Sequence, residues 1–292
     1  MPDALIATRA SRLARIQAEA VRLALAAVHS DLQLALLELE TAGDHLHDIS
    51  LEKVEGKGFF TDSLERALLA GTAQFAAHSL KDLPVEDSAA FQVAAVLPRE
   101  DPRDVLVSRA GRLLELPMGA RVGTDSSRRR AQILLVRPDL EVLPVRGNVP
   151  TRIAKLDRGE FSAIVLAAAG LHRLGLAAEV SEYLDPELCL PAPGQGAIAI
   201  QTLAEGEWRE RALAVDDPGT SAAVRAERAF LAGLGGGCQA PVGALATIES
   251  DLLVLRGVLV EGGQARRITA TGDPNDPEAL GDGAARQLMA RS

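Results

Sequence analysis

The sequence has few cysteines, few aromatic residues and no long hydrophobic run. Its two cysteines, Cys189 and Cys238, are too few for a disulfide framework or a zinc site, which points to a reducing compartment. No apolar run reaches the roughly 18 residues of a membrane helix. The N-terminus lacks a basic segment followed by an apolar stretch, so no signal peptide is expected. These absences predict a cytoplasmic protein with neither a membrane nor a metal partner.

Basic residues are in the minority but are unevenly placed. The chain has 40 acidic and 31 basic residues, giving a net charge of −9 at pH 7, which argues against a nucleic-acid partner. Three of the four lysines, Lys53, Lys57 and Lys81, and the triplet at 128–130 nevertheless lie in short loop-like motifs. Because arginine presents a fork of donors that matches a carboxylate, this clustering predicts a site for a small anion.

Hydrophobic patterning predicts an α/β protein with two α/β domains and a small C-terminal α+β domain. Strand and helix patterns alternate through the first two domains, and a strand at 197–201 is expected to return to the first sheet. Polar stretches rich in proline mark the crossings between domains. The predicted domains are residues 1–98 with 196–215, residues 99–195, and residues 216–292.

Polar motifs follow one predicted strand after another. They are Arg9 with Ser11, Ser79 with Lys81 and Asp82, Thr124 with Ser126, Arg128 and Arg129, and Arg146 with Asn148. The carboxyl ends of strands in open α/β sheets line a ligand crevice, so two such sheets predict a cleft for a polyanion. Ser126, at a predicted helix start, adds backbone N–H groups and the positive end of a helix dipole. Asp125 brings a negative charge into this motif, which is unfavourable for an anion site unless Arg130 offsets it.

Asp82 is an acidic residue among these basic motifs, next to Lys81 and close to His78 and Ser79. A carboxylate in a basic cleft can stabilise a cation, and it can transfer a proton where burial favours its neutral form. The alternative is an aspartate that only caps its own turn before Pro84.

Cys238 lies in the glycine-rich stretch 235–243, between a helix pattern and a strand pattern. The glycines allow positive φ angles and movement, and Pro241 stiffens the exit. A thiol placed there can carry a ligand, although a small buried cysteine in a turn is the ordinary alternative.

Two other functions stay open on these residues alone. The first is a two-lobed anion-binding module without catalysis, which needs no thiol. The second is a thiol hydrolase, which requires a histidine close to Cys238 in space, since none is close in sequence.

Short motifs along nearly the whole chain share their order and spacing with one enzyme family. They are residues 6–11 (IATRAS), 56–60 (GKGFF), 78–84 (HSLKDLP), 99–104 (REDPRD), 146–149 (RGNV), 169–171 (AGL), 190–192 (LPA), 194–197 (GQGA), 227–229 (ERA) and 236–239 (GGCQ). On these motifs the chain resembles the hydroxymethylbilane synthase family, also called porphobilinogen deaminase.

The resemblance implies a reaction and a fold. Cys238 would carry a dipyrromethane cofactor through a thioether, and four porphobilinogen molecules would condense on this primer. Each step would lose ammonia and give an azafulvene cation that the terminal pyrrole attacks, and water would then release hydroxymethylbilane for tetrapyrrole biosynthesis. The implied fold has two periplasmic-binding-protein-like α/β domains around a cleft and a small α+β domain, in a monomer.

The resemblance also assigns roles to matching residues. Asp82 is the implied catalytic residue, and the acetate and propionate of each pyrrole explain the cationic side chains. The implied cofactor-binding residues are Cys238, Ser79, Lys81, Asp82, Thr124, Ser126, Arg128, Arg129 and Arg146. The implied substrate-binding residues are Arg9, Ser11, Lys57, Phe60, Arg146, Arg152 and Arg173.

Overall fold

The structure is a computed structural model, and it describes residues 2–40, 61–85, 88–236 and 241–290. The chain divides into two compact units, Met1–Glu100 with Ala197–Ser221 and Asp101–Gly196 with Ala222–Ser292. The C-terminal α+β part falls within the second unit, and its standing as a third domain stays a prediction. No helix in the described part of the chain has the length and apolar character needed to cross a bilayer.

The strands and helices follow the predicted alternation. The strands are β1 (Ala4–Arg9), β2 (Leu34–Leu39), β3 (Phe75–Ser79), β4 (Phe91–Val96), β5 (Asp104–Ser108), β6 (Arg121–Gly123), β7 (Glu141–Leu143), β8 (Ala163–Ala167), β9 (Glu182–Tyr183), β10 (Ile198–Leu203), β11 (Val242–Glu249), β12 (Leu252–Glu261) and β13 (Gln264–Gly272). The helices are α1 (Arg12–Val28), α2 (Asp62–Leu69), α3 (Ser127–Val136), α4 (Val149–Asp157), α5 (Ala168–Arg173), α6 (Glu207–Leu213), α7 (Pro218–Gly233) and α8 (Pro277–Ala290).

The first unit contains a five-stranded mixed sheet in the order β2-β1-β3-β10-β4. Strand β1 runs parallel to β2 and β3, whereas β10 is antiparallel to β3 and β4, so the predicted return of residues 197–201 to this sheet is confirmed. Side chains alternate between two faces. Ile6 and Phe75 pack in the cluster that includes α1, and Ala7 and Ala76 pack in the cluster that includes α2.

The second unit contains a five-stranded mixed sheet in the order β7-β6-β8-β5-β9. Strand β6 is parallel to β7 and β8, and β5 is antiparallel to β8 and β9. Strand β5 is a difference from the sequence analysis, which placed only a crossing before residue 121. Its apolar residues Val105, Leu106 and Val107 are fully buried, but the proline-rich stretch directly before them hides the strand pattern.

The C-terminal part contains a three-stranded antiparallel sheet, β11-β12-β13, with α7 before it and α8 after it. One sheet with helices before and after it in the chain is the α+β character predicted for residues 216–292. Leu190, Leu245 and Val258 form an apolar cluster against Ala131 and Leu135 of α3, which joins this sheet to the rest of the second unit. The predicted class, α/β with a small C-terminal α+β part, is therefore confirmed.

Candidate active site

The first unit brings together the polar motifs that follow β1 and β3. These strands are parallel neighbours, with Ile6 opposite Phe75, so their carboxyl ends lie side by side. After β1, Ser11 caps α1 by accepting a hydrogen bond from Ala14 N at 3.2 Å. After β3 the chain turns through the 3₁₀ turn Leu80–Asp82. A pocket of about 90 Å³ opens at this edge, and among the side chains that line it are Arg9, Ser11, Gln17, His78, Ser79 and Asp82.

Asp82 lies on the exposed end of the 3₁₀ turn, where a substrate can reach its carboxylate. Leu80 anchors the turn, because its side chain is buried and its backbone N–H donates to Ala197 O at 3.1 Å. Lys81, between them, is half-buried. The turn is therefore held in place by Leu80 while the carboxylate of Asp82 stays accessible.

Gln17 is a pocket residue that the sequence analysis did not identify. Its Nε2 donates to Ser79 Oγ at 2.8 Å and links α1 to the end of β3. The buried side of α1 is otherwise made of Ala18, Val21 and Leu25. The sequence signal that could have identified Gln17 is a polar residue on the apolar face of a predicted helix.

His78 is buried, with 7% of its surface exposed, beside the same pocket. Its Nε2 lies 3.0 Å from Gln201 Oε1, and Gln201 Nε2 donates to Glu65 Oε1 at 3.0 Å. Burial lowers the pKa of His78 to about 4; the hydrogen bond to Gln201 opposes this effect and the charge of Arg9 adds to it. His78 is therefore uncharged at neutral pH.

In the second unit, Ser126 is the N-cap of α3, as predicted. Its side chain accepts from Arg129 N at 3.4 Å, and Thr124 Oγ1 accepts from Ser126 N at 3.3 Å. The start of α3 therefore presents two hydroxyl groups together with the positive end of the helix dipole. This is a suitable environment for an anion.

Arg128 and Arg129 form a buried ionic cluster with Asp104, which has no exposed surface. Arg128 Nη1 donates to Asp104 Oδ2 at 2.6 Å, and Arg129 Nη2 donates to Asp104 Oδ1 at 2.7 Å. Burial alone would raise the pKa of Asp104, but the two guanidinium charges outweigh it and hold this pKa well below its usual range. Two cations share one carboxylate, which leaves the cluster with an excess positive charge.

Two further groups complete this cluster. Gln195 Nε2 donates to Asp104 Oδ1 at 2.8 Å. Cys189 Sγ lies 3.4 Å from Asp104 Oδ2, and burial together with that carboxylate raises the pKa of the thiol to about 12. Cys189 is therefore an unreactive core thiol. The sequence analysis did not identify Asp104 or Gln195 as part of the site, because Asp104 meets Arg128 and Gln195 meets Arg129 only in the folded chain.

Arg146 and Arg152 lie around the start of α4. Arg146 is 3.2 Å from Asp125, whereas Arg130 donates to Val142 O at 3.0 Å. The ion pair of Asp125 is therefore with Arg146, and Arg130 bonds to the backbone of β7. Arg152 Nε donates to Gly147 O at 2.7 Å.

The electrostatics of Arg152 show that positive charge accumulates here. Burial and the charge of Arg129 lower the pKa of Arg152 to about 10; Asp125 opposes this shift and Arg146 adds to it. An anion bound beside these arginines would relieve both their repulsion and their desolvation.

The remaining predicted residues have separate placements. Arg173, at the end of α5, donates from Nη2 to Gly196 O at 2.7 Å and so supports the glycine-containing motif at 194–197. Lys57, Phe60 and Cys238 lie outside the described residues.

Two family models together match most of the chain. Residues 4–210 match the model described as porphobilinogen deaminase, dipyromethane cofactor binding domain, and residues 221–290 match the porphobilinogen deaminase C-terminal domain. The chain belongs to the porphobilinogen deaminase family.

Relatives of this family cover nearly the full chain. The porphobilinogen deaminase of Moorella thermoacetica is 48% identical over 98% of this chain and 93% of its own length. The proteins of the same name from Bordetella parapertussis and Roseiflexus castenholzii are 49% and 46% identical, over 98% and 97% of this chain and 92% and 95% of their own lengths.

Solved structures show a more distant similarity. A VFT2 domain of Bordetella pertussis BvgS shares 15% identity, with a TM-score of 0.44 over 73% of this chain and 85% of that domain. The periplasmic aliphatic sulphonate binding protein SsuA of Escherichia coli shares 14% identity, with a TM-score of 0.41 over 78% of this chain and 69% of its own.

Porphobilinogen deaminases, or hydroxymethylbilane synthases, are transferases that deaminate porphobilinogen in tetrapyrrole biosynthesis. The chain is therefore an enzyme of this class with a dipyrromethane cofactor. The alternatives of a binding module and a thiol hydrolase are set aside.

The residues present fit a cofactor that bears carboxylates. Arg128 Nε is buried and has no hydrogen-bond partner within the described residues. The pKa of Arg152 is lowered by burial and by its cationic neighbours Arg129 and Arg146. Both observations describe donors and charge that a bound carboxylate would satisfy.

Proposed function

We propose that Cys238 carries the dipyrromethane cofactor through a thioether and that Asp82 is the catalytic residue of porphobilinogen condensation. Excess positive charge is the observation that carries this proposal. In the second unit, the described arginines Arg128, Arg129, Arg146 and Arg152 outnumber the carboxylates Asp104 and Asp125 with which they interact. Cys189 is buried with its pKa raised to about 12, which supports Cys238 as the attachment point.

The cofactor, when bound, supplies the pyrrole end to which substrate is joined. Thr124, Ser126, Arg128, Arg129 and Arg146 of the second unit are proposed to hold its carboxylates. Asp104 fixes the guanidinium groups of Arg128 and Arg129, so their donors are oriented before any ligand binds.

In the first unit, Ser79, Lys81 and Asp82 are proposed to bind the cofactor. The Asp82 carboxylate is also proposed to stabilise the positive charge that develops on porphobilinogen as ammonia leaves, and to accept the proton that the pyrrole carbon later loses. Its exposed place on a turn held by Leu80 suits a group that must meet each incoming substrate.

The substrate, with its carboxylates, is proposed to bind to a set of mostly cationic and hydroxyl side chains. The set is Arg9, Ser11, Lys57, Phe60, Arg146, Arg152 and Arg173, with Phe60 as its apolar member. We further propose that the protein is a cytoplasmic monomer with three domains and that it has no nucleic-acid or membrane partner.

The test of the catalytic role compares Asp82→Asn with Glu207→Gln, an exposed carboxylate on α6. Ammonia release and porphobilinogen consumption are measured together. We expect Glu207→Gln to match the wild type, and Asp82→Asn to lose about 100-fold or more in kcat, the usual scale for a group that transfers a proton. Wild-type turnover by Asp82→Asn would overturn the assigned role.

A further inference from the structure

The side chains of Glu65, Gln201 and His78 form a chain of hydrogen bonds on one face of the first sheet. It runs from helix α2 to the pocket that contains Asp82. Gln201 Nε2 lies 3.0 Å from Glu65 Oε1, and Gln201 Oε1 lies 3.0 Å from His78 Nε2. Strands β3 and β10 are antiparallel neighbours with Ala76 opposite Gln201, so Gln201 and His78 project from the same face of the sheet. This is the face that packs against α2.

The donor and acceptor of each hydrogen bond in this chain can be assigned. The carboxylate of Glu65 accepts hydrogen bonds, so the Gln201 amide turns its NH₂ group toward it. The amide oxygen of Gln201 then faces His78. The ring of His78 must therefore carry a proton on Nε2 and donate it to that oxygen.

We propose that His78 is a positioning residue of the Asp82 pocket, held by Gln201 and Glu65 as the uncharged tautomer with its proton on Nε2. Among the described residues that line this pocket, Arg9 and Asp82 are the charged ones. Because His78 and Asp82 line the same pocket, an uncharged His78 adds no positive charge where a cationic substrate must approach Asp82. This inference rests on the proposed catalytic role of Asp82.

The surroundings of His78 also favour the uncharged ring. Burial lowers its pKa to about 4, and this is the net result after the opposing effect of the Gln201 hydrogen bond and the added effect of the Arg9 charge. The charged groups around it are Arg9 at the end of β1, Glu65 of α2 acting through Gln201, and Asp82 on the turn after β3.

The first test is a long-range ¹H–¹⁵N spectrum of the wild-type protein with labelled histidines. The protein has five histidines, and a His78→Gln variant identifies the His78 signals. We expect Nε2 protonated and Nδ1 unprotonated, with no change between about pH 6 and pH 8, where an ordinary histidine titrates. A proton on Nδ1, or a titration within that range, would overturn the inference.

The second test places a carboxylate opposite the ring. In Gln201→Glu, the ionised side chain can only accept hydrogen bonds and so cannot donate to Glu65, and its charge favours a doubly protonated His78 at neutral pH. We expect kcat to fall about tenfold, the scale on which outer hydrogen-bond partners of a reacting group act. Activity should recover as the pH rises and His78 loses its extra proton.

Gln92→Glu is the matched control, because Gln92 is exposed on β4 of the same sheet. We expect it to keep the wild-type histidine spectrum and pH profile. A Gln201→Glu protein that behaves like Gln92→Glu in both measurements would contradict the inference. If Gln201→Glu does not fold, the wild-type spectrum still tests the inference, because it measures the tautomer of His78 without any substitution.

These outcomes are separable from the proposed function. The wild-type spectrum reports the tautomer whether or not Asp82 is catalytic. An unexpected tautomer would remove the inference and leave the thioether and the porphobilinogen chemistry untouched. An active Asp82→Asn variant would remove the catalytic assignment and leave the tautomer as found.

Discussion

Arg129 holds Asp104 through two donors, with Nε and Nη2 at 3.0 and 2.7 Å from the same carboxylate oxygen, Oδ1. Both side chains are buried, and Arg128 occupies the second oxygen of Asp104. Asp104 therefore offsets part of the positive charge inside the second unit, and it fixes the side chains of Arg128 and Arg129 that we assign to the cofactor.

Asp104→Asn should destabilise the protein strongly, because it leaves two buried guanidinium charges without a carboxylate. We expect a loss of about 3–5 kcal/mol in the free energy of unfolding, measured by urea denaturation at pH 7. The measurement is made in a Cys238→Ser background, so that a bound cofactor does not contribute. Glu160→Gln removes an exposed ion pair with Arg158 and should change stability by only about 0.5 kcal/mol. Equal effects in the two variants would show that the buried cluster is not stabilising.

His78 should make the folded protein less stable in mild acid. The unfolded chain takes up a proton on this residue near pH 6.5, whereas the folded chain does so only near pH 4, where burial has placed its pKa. Between these values the unfolded state binds more protons, so stability falls as the pH falls, by about 3 kcal/mol in total. His78→Gln should remove this part of the pH dependence in urea titrations. A variant with the same loss as the wild type would contradict the assigned environment.

Helices α7 and α8 should tolerate no side chain at Gly281. An added Cβ would lie 2.7 Å from Ala229 Cβ and 2.8 Å from Phe230 N. Gly281→Ala should therefore cost about 1–3 kcal/mol of stability through overpacking. Gly283, on the same helix, has no described atom within 4 Å of such a Cβ, so Gly283→Ala should stabilise by up to about 1 kcal/mol. Thermal unfolding of both variants tests this, and shifts of the same sign would count against the packing.

The secondary structure was largely predictable, because hydrophobic periodicity and helix caps depend on residues that are close in sequence. Ser126 was predicted at a helix start and accepts the capping hydrogen bond of α3, and Ser11 and Asn148 do the same for α1 and α4. The return of β10 to the first sheet was also predictable, since the chain leaves the second α/β pattern through a polar break.

Contacts between distant residues were not predictable in the same way. Asp104 meets Arg128 across 24 positions, and Gln201 meets Glu65 across 136. No periodic pattern connects such residues, and pairing partners become known only when strand order is known. The sequence alone therefore predicted Arg128 as an anion ligand, and it could not show that Asp104 of the same chain already contacts this arginine.

The two thiols should differ completely in reactivity. We propose that Cys238 forms the thioether in the protein with its cofactor, whereas Cys189 is buried with its pKa raised to about 12. A thiol reagent should therefore detect no thiol in the native protein and one after denaturation. Two thiols in the denatured protein would show that the thioether is absent.

The intact mass of the denatured protein tests the central claim most directly. The wild type and Cys189→Ser should both exceed their sequence mass by two linked pyrroles, and Cys238→Ser should not. Incubation with porphobilinogen should then add further equal increments to the first two proteins. An excess that persists in Cys238→Ser, or a wild type that keeps its bare sequence mass after porphobilinogen is supplied, would contradict attachment at Cys238.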